Sequence, residues 1–286
     1  MNNTLQFDRI PPTLPLFAKL AVTKAKPEKI LPVPLIAQAS GIRPKAEDVE
    51  KYLEVCGGQA NGRLPILYPQ VMSTPLTMSL LVHPQFPLAA LGLVHVENTV
   101  EQQRAPRVDE ALDFLVTIPN IERTSRGYEF DMLTEVSVEG EKIWQSRARI
   151  LSRAKDPNAA KKPREPRRPP SASDWPLIET YSLAPNLGRR YARVSGDFNP
   201  IHLYANTAKL LGFKRAIIHG MWSAAATAVA LDIGPGPGVF DCEFKTPLFL
   251  PGKANLHAKA STKGREFLLQ DAKSFKPILS GSYKQG

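Results

Sequence analysis

Apolar and polar positions along the chain form two blocks of similar design, each with helical spacing first and strand-like alternation afterwards. In the first block, residues 46–55 place apolar side chains along one side of a short helix. A second, more apolar helix is predicted to begin near Pro69, with Pro75 bending or restarting it. From Leu91 onward, successive segments alternate β-branched and polar residues, as strands do. Residues before Ala46 are interrupted by prolines, which predicts extended structure there.

The second block repeats this order around a polar centre. Residues 171–183 begin this block and lead into the polar centre. Residues 206–213 are typical of a short helix that ends near Gly212, and an alanine-rich helix follows from Gly220 to near Asp232. The sequence G-P-G-P-G at residues 234–238 then predicts a turn into the remaining strands.

The two blocks also share a short sequence. Residues 51–58 run in step with residues 190–197, because tyrosine, valine and glycine recur at a constant offset. The separation is far longer than any solenoid repeat, which indicates two copies of one domain. We therefore predict domains at residues 1–152 and 171–286, joined by a basic, proline-rich linker at residues 153–170.

The same offset predicts a division of labour between the copies. It places Gly58, Ala60 and Arg63 where Asp197, Asn199 and His202 stand. Glycine and alanine side chains cannot accept or donate protons, so the first copy lacks an acid–base pair. Any such chemistry would belong to the second domain.

Length and composition narrow the class of protein. With 286 residues and 43% hydrophobic content, the chain is long enough to bury one large core or two medium ones. The N-terminus shows no basic segment followed by a sustained apolar run, and no apolar stretch reaches the roughly 20 residues of a membrane span. Cys56 and Cys242 lack metal-binding or redox spacing, which favours free thiols. We expect a cytoplasmic protein.

The charge is unevenly distributed. The net charge is +10, and about half of the excess falls within residues 153–168. A proline-rich basic run is typical of a solvated linker, although attraction of phosphates, of an acidic protein or of nucleic acid are alternatives. The chain shows no aromatic-plus-basic strand motif of the RNA-binding type, so we expect no nucleic-acid partner.

The most polar part of the second block gathers acid–base groups on one loop. Asp197 and His202 lie five residues apart, Gly196 permits a tight backbone, and Pro200 ends the preceding element. A carboxylate and a neutral imidazole that share one water can divide proton removal and proton delivery between them. The simpler alternative is a turn and a helix N-cap, in which Asp197 or Asn199 only caps backbone amides.

The string G-D-x-N-P-I-H at residues 196–202 resembles the signature of the MaoC-like (R)-specific enoyl-CoA hydratases, also called hydratase 2. The resemblance continues through the His219-Gly220 pair and covers most of the second half. It implies an α+β double hot-dog fold, in which two copies of an antiparallel sheet each wrap a long central helix. The sequence departs from the family at residues 203–205, where relatives often carry an acidic residue and a proline.

The resemblance also implies a role for each matching residue. Asp197 and His202 would activate the water, and Asn199 would help to hold the catalytic loop. Backbone amides of Gly220 and Met221 would polarise the thioester carbonyl. The other expected substrate contacts are Ser195, Gly196, Pro200 and His219.

These residues predict a lyase that reversibly hydrates (2E)-enoyl-CoA to (3R)-3-hydroxyacyl-CoA in fatty acyl metabolism. The alternatives are a 3-hydroxyacyl-[acyl-carrier-protein] dehydratase and a non-catalytic protein that only holds acyl thioesters. The expected partner is an acyl-CoA or acyl-carrier-protein thioester, with homodimer formation left open. We expect no metal and no cofactor, since coenzyme A is part of the substrate.

The first domain would then bind the acyl chain. On this hypothesis the pocket beside Gly58 is apolar and takes the tail, so Gly58→Phe would impair long substrates more than short ones. His83 and His95 have no carboxylate at a helpful spacing, so they are predicted to be packing or sheet-face residues outside the site.

Overall fold

The computed structural model describes residues 3–25, 34–154, 174–262 and 264–286. Of the predicted linker, residues 153–170, only residues 153 and 154 are among the described residues. The strands of the first half are β1 (Thr4–Phe7), β2 (Leu35–Ile42), β3 (Leu93–Gln102), β4 (Leu112–Ile118), β5 (Glu122–Thr124), β6 (Gly127–Val138) and β7 (Glu141–Arg153). Those of the second half are β8 (Leu177–Leu183), β9 (Gly238–Phe244), β10 (Gly252–Ser261), β11 (Gly264–Asp271) and β12 (Pro277–Gln285).

Helices precede most of the strands in each half. The first half contains α1 (Thr13–Ala21), α2 (Ala46–Cys56), α3 (Tyr68–Met72) and α4 (Thr74–Leu81). The second half contains α5 (Leu187–Ser195), α6 (Pro200–Leu203), α7 (Ala205–Leu210) and α8 (Gly220–Ala230). Among the described residues, no helix has the length and apolar character needed to cross a membrane.

The described strands form a single twelve-stranded sheet that runs through both halves. Its order is β1-β2-β4-β6-β7-β3-β9-β12-β11-β10-β8, with β5 paired to β6. Every pairing is antiparallel except that of β1 with β2. The halves meet where β3 pairs with β9, and there Val100 lies opposite Phe240 with both side chains fully buried. The two cores are therefore joined by backbone hydrogen bonds.

The apolar helices pack against this sheet, as the α+β prediction required. Leu76 and Leu80 of α4 and Ala224 of α8 are fully buried. In the first half, however, the expected long central helix is two short ones, α3 and α4. Each has a proline in its first turn, where a missing amide proton costs no hydrogen bond, and the chain restarts at Pro75.

The prediction of extended structure throughout the N-terminal segment was wrong at α1. Its Pro15 falls in the first turn, where proline is tolerated. Leu16 and Leu20 then pack against Met78 of α4. Tertiary contact with the central helix decides the conformation of this segment, because proline spacing alone did not indicate a helix.

The helices aligned by the internal sequence match have the same ending. α2 stops at Gly57, with φ of 86°, and α5 stops at Gly196, with φ of 73°, a left-handed conformation that favours glycine. Tyr52 and Tyr191, each 1% exposed, bring their ring centroids within 6.1 Å between the two helices. This correspondence supports the duplication, while the domain boundaries themselves stay a prediction.

Candidate active site

The polar motif forms a short loop between two helices. The left-handed conformation of Gly196 turns the chain out of α5, and a side chain there would meet Thr13 of α1 at 3.0 Å. Pro200 begins α6, because its fixed φ suits the first helical position. The three residues between them, 197–199, are thereby held against the end of α5.

Backbone amides hold this loop in place. The Asp197 amide donates to Ser195 Oγ at 3.3 Å, and the Asn199 amide donates to Asp197 Oδ1 at 3.1 Å. Asn199 Oδ1 in turn accepts from the amide of Ile201 at 3.3 Å, so Asn199 is the N-cap of α6. The capping interpretation is thus confirmed for Asn199. Asp197 uses only one carboxylate oxygen in the turn, and its Oδ2 remains for other partners.

His202 is buried behind the loop and held in one tautomer. Its Nδ1 lies 2.9 Å from the carbonyl oxygen of Ile217. A carbonyl only accepts hydrogen bonds, so Nδ1 carries the proton and Nε2 keeps its lone pair. Burial lowers the pKa of His202, and the charge of Asp197 opposes this effect. The ring is therefore a neutral base at pH 7.

His219 packs directly on this imidazole. The two ring centroids are 3.7 Å apart with 27° between the planes. His219 Nε2 donates to the carbonyl oxygen of Asp197 at 2.9 Å and lies 3.9 Å from Asp197 Oδ2. Burial lowers the pKa of His219 to about 3, and the neighbouring His202 adds to the effect. The structure therefore places His219 beneath the loop, where it holds the Asp197 backbone.

Three ligand-type groups thus meet at one point. One atom from each of Asp197, His202 and His219 lies within 4.8 Å of the other two, a spacing that could hold a metal ion. Two of the four imidazole nitrogens are already engaged with the carbonyl oxygens of Ile217 and Asp197. The same spacing suits a single water molecule shared by a carboxylate and an imidazole.

Several predicted site residues open into one cavity of about 250 Å³. These residues are Ser195, Asp197, Asn199 and Met221. Gly220, the first residue of α8, has no room for a side chain, because a Cβ would lie 2.9 Å from the ring of Phe244. The first residue of α8 must therefore be glycine if Phe244 is to keep its place beside the start of this helix.

The other walls of this cavity come from the first half, at a place that the sequence did not indicate. Thr77, Met78 and Leu81 of α4 line it, together with residues of β3, β6 and β7. Gly58, which was expected to border the acyl pocket, lines a different cavity. The effect of a large side chain at Gly58 on long substrates stays a prediction, and it concerns a cavity that Asp197 does not line. In this fold the loop that contains Asp197 and Asn199 faces α4 of the other half.

His95 of β3 also lines the cavity, although the sequence analysis left it out of the site. Its ring lies 4.7 Å from that of Phe244, and within the described part of the chain its buried Nε2 has no hydrogen-bond partner. Burial lowers the pKa of His95 to about 4. The available signal was alternation along β3, which puts His95 on the same face as Leu93. Alternation could not show which pocket that face borders.

The position of His202 depends on one further glycine. A Cβ at Gly188 of α5 would overlap the carbonyl oxygen of His202. Glycine at this position lets α5 and α6 approach closely, with Arg189 Nη1 donating to the carbonyl oxygen of Leu203 at 2.9 Å. The sequence analysis gave no reason to select Gly188, because the contact joins two helices whose packing it did not predict.

Comparisons with known proteins agree with this geometry. Residues 157–267 match the model of the MaoC like domain. The chain is also 32% identical over 246 residues to 3-hydroxyacyl-thioester dehydratase X of Mycobacterium tuberculosis, covering 83% of this chain and 84% of that protein. The chain belongs to the MaoC-like dehydratase family. The motif resemblance is confirmed.

Solved structures of the family share the fold. The crystal structure of HtdX from Mycobacterium tuberculosis has a TM-score of 0.77 at 28% identity, covering 88% of this chain and all of that one. A MaoC-like dehydratase from Phytophthora capsici has a TM-score of 0.69 at 18% identity, covering 91% and 99% of the two chains. The double hot-dog fold predicted for this MaoC-like dehydratase is thereby confirmed.

Proposed function

We propose that this MaoC-like dehydratase interconverts (3R)-3-hydroxyacyl-CoA and (2E)-enoyl-CoA. The observation that carries the proposal is the convergence of Asp197 and His202, within 4.8 Å, beside an otherwise largely apolar cavity. The similar Mycobacterium tuberculosis protein is described as a 3-hydroxyacyl-thioester dehydratase, which supports the same class of substrate here.

The proposed step is addition of one water across the double bond. Asp197 and His202 hold the water, whose oxygen bonds to C3 while one of its protons passes to the acid–base pair. A proton from the same pair is delivered to C2, so the pair ends in its starting state. Burial keeps His202 neutral at pH 7, which leaves its Nε2 lone pair free to take part.

The thioester carbonyl needs a hydrogen-bond donor as electron density moves onto its oxygen. The first amides of a helix have no partner inside the helix, and those of Gly220 and Met221 begin α8. Met221 lines the cavity that contains Asp197, which supports the assignment. The positive end of the α8 dipole would favour the developing negative charge.

The acyl chain would extend beneath α4 of the first half. Apolar side chains of Met78 and Leu81 line this part of the cavity, and a volume of about 250 Å³ suits short and medium chains. Acyl binding by the first half and chemistry by the second therefore remain our proposal. Its molecular basis is α4 and not the loop at Gly58.

A groove beside the proposed catalytic loop carries one arginine that has no carboxylate partner among the described residues. The groove, of about 700 Å³, borders the catalytic cavity at Ser195, and charges of both signs line it, namely Asp48, Glu54, Lys51, Arg190 and Arg193. Arg190 is paired with Glu54 at 3.2 Å and Lys51 with Glu47, so Arg193 is the group that favours a phosphate-bearing substrate arm. Guanidinium and ammonium groups bind phosphates well. Coenzyme A and acyl carrier protein both carry such an arm, and a comparison of crotonyl-CoA with crotonyl-[acyl-carrier-protein] would separate the two substrates.

The direct test is hydration of crotonyl-CoA, followed by loss of absorbance, with chiral analysis of the product. We expect Asp197→Asn and His202→Ala each to lower turnover by about a hundredfold or more while the fold is retained. His257→Ala, at a half-buried histidine of β10, is the matched control and should keep parental turnover. Folded Asp197→Asn and His202→Ala proteins with near-parental rates would contradict the assignment.

The proposed chemistry uses no metal. We expect dialysis against EDTA to leave turnover unchanged, although Asp197, His202 and His219 have metal-compatible spacing. Loss of activity that is restored by a divalent cation would instead assign those three side chains to a metal centre. A folded parent protein without activity on any enoyl thioester would favour the non-catalytic binding protein.

A further inference from the structure

A second cavity of about 370 Å³ lies where the first half would have its own active site. It is lined by Tyr52 and Gly58 of the first half and by Ala228 and Val229 of α8. The catalytic cavity has the reverse arrangement, with Tyr191 and Asp197 of the second half facing α4 of the first. In each cavity, one half contributes the segment aligned by the internal match and the other half contributes its central helix. This symmetry is expected for a duplicated pair of domains.

The second cavity lacks the means for the reaction. Gly58 replaces the catalytic aspartate, and the sequence match places Arg63 at the position of the histidine. Asp232 lines this cavity, but among the described residues that line it there is no imidazole to work with that carboxylate. A ligand could bind here without being hydrated or dehydrated.

The lining nevertheless suits the ligand class that the catalytic cavity is proposed to bind. Leu53, Leu64 and Ile66 provide an apolar bed for an aliphatic chain. Gln59 and Asn61 add amide donors and acceptors to the lining, and such groups match the two amides of a pantetheine arm.

One buried side chain in this cavity has an unfilled hydrogen-bonding position. Gln102 of β3 is 2% exposed, and its Nε2 donates to the carbonyl oxygen of Gly236 at 2.9 Å. Its Oε1 is buried and has no hydrogen-bond partner among the described residues. Leaving a buried acceptor without a donor is unfavourable, so a ligand that supplies an N–H or O–H would gain from this position.

We infer that the second cavity binds a second acyl thioester molecule and does not turn it over. The inference rests on the proposed function for the class of ligand, and on the exchanged cavities and Gln102 for the site itself. Each chain would then bind two acyl thioesters, one for chemistry and one held at the site that lost its acid–base pair.

The test is the stoichiometry of decanoyl-CoA binding by isothermal titration calorimetry. This saturated thioester can be neither hydrated nor dehydrated, so binding is measured without reaction. Two variants each fill one cavity: Val229→Phe fills the second cavity, and Thr77→Phe fills the catalytic one. They are matched, because threonine and valine have similar shapes and both are replaced by phenylalanine. Both positions are half-buried, which leaves room for a ring without breaking a packed core.

We expect two decanoyl-CoA molecules per parent chain at concentrations up to about 1 mM, and one per chain in either variant. Crotonyl-CoA hydration should persist in Val229→Phe, which also shows that the protein is folded, and should fall at least about tenfold in Thr77→Phe for longer enoyl-CoAs.

A parent stoichiometry of one, abolished by Thr77→Phe and unchanged by Val229→Phe, would overturn the inference while leaving the proposed function intact. If Val229→Phe is unfolded, Ile233→Trp provides the second filling variant, since Ile233 also lines the second cavity and is half-buried. Absence of hydration in the parent protein would instead refute the proposed function, whatever the stoichiometry.

Discussion

Acidification is expected to destabilise this protein well above the pH at which carboxylates titrate, because its site contains buried neutral imidazoles. Burial lowers the pKa of His219 from 6.5 to about 3 and lowers that of His202 as well. Between pH 6.5 and the folded-state pKa, the unfolded chain binds a proton that the folded chain does not. The free energy of unfolding therefore falls as the pH drops through this window, and these groups contribute no pH dependence above it.

The size of the effect follows from these values. A pH of 5 is about 1.5 units below the imidazole pKa of 6.5 in the unfolded chain, so His219 is protonated there. In the folded protein His219 is still neutral at this pH. At about 1.4 kcal/mol per unit, His219 alone lowers the free energy of unfolding by about 2 kcal/mol. This is a large share of the 5–15 kcal/mol typical of a folded domain, and His202 adds to it in the same direction.

Urea denaturation at pH 7.5 and pH 5.0 measures the effect. His219→Gln keeps a donor for the carbonyl oxygen of Asp197 but removes the titrating ring. Between pH 7.5 and pH 5.0, the free energy of unfolding should therefore fall less in His219→Gln than in the parent, by about 2 kcal/mol. His257→Gln, at a half-buried position in β10, is the control and should follow the parent. An unchanged pH dependence in His219→Gln would refute the reasoning, whatever the absolute stability of the variant.

Three other predictions concern the site. Gly188→Ala should lower turnover on crotonyl-CoA about tenfold or more, because the new Cβ displaces the His202 backbone; parental kinetics with an unchanged melting temperature would contradict this. Met78→Trp should impair decenoyl-CoA more than crotonyl-CoA, whereas Gly58→Phe should not discriminate between them; the reverse pattern would restore the tail to the second cavity. Arg193→Glu should raise the KM for crotonyl-CoA about threefold or more at low salt and less at high salt, with kcat preserved; a salt-independent KM would exclude Arg193 from phosphate binding.

Much of the fold follows from short-range patterns in the sequence. Apolar spacing predicted α2 and a helix from Pro69 that bends or restarts at Pro75, which the structure shows as α3 and α4, and alternation predicted strands in both halves. The match between the halves aligns Gly57 with Gly196, and in the structure each of these glycines ends a helix. These features follow from local rules, because spacing, proline and left-handed glycine act within a few residues.

The sequence also determined the loop that carries the candidate chemistry. Asp197, Asn199 and His202 lie within six consecutive residues, so their proximity follows from chain connectivity. Family membership follows from the same string and from similarity over most of the chain. The roles of these residues remain predictions until the variants are measured.

The surfaces of the first half that face this loop are set by long-range packing. The pairing of β3 with β9 sets one half against the other, which brings α4 and His95 to Asp197 and sends Gly58 to a separate cavity. Contacts between residues a hundred positions apart leave no periodic signal in either segment. The stacking of His219 on His202 and the lowered pKa values likewise depend on burial, which is a property of the packed chain and not of its local sequence.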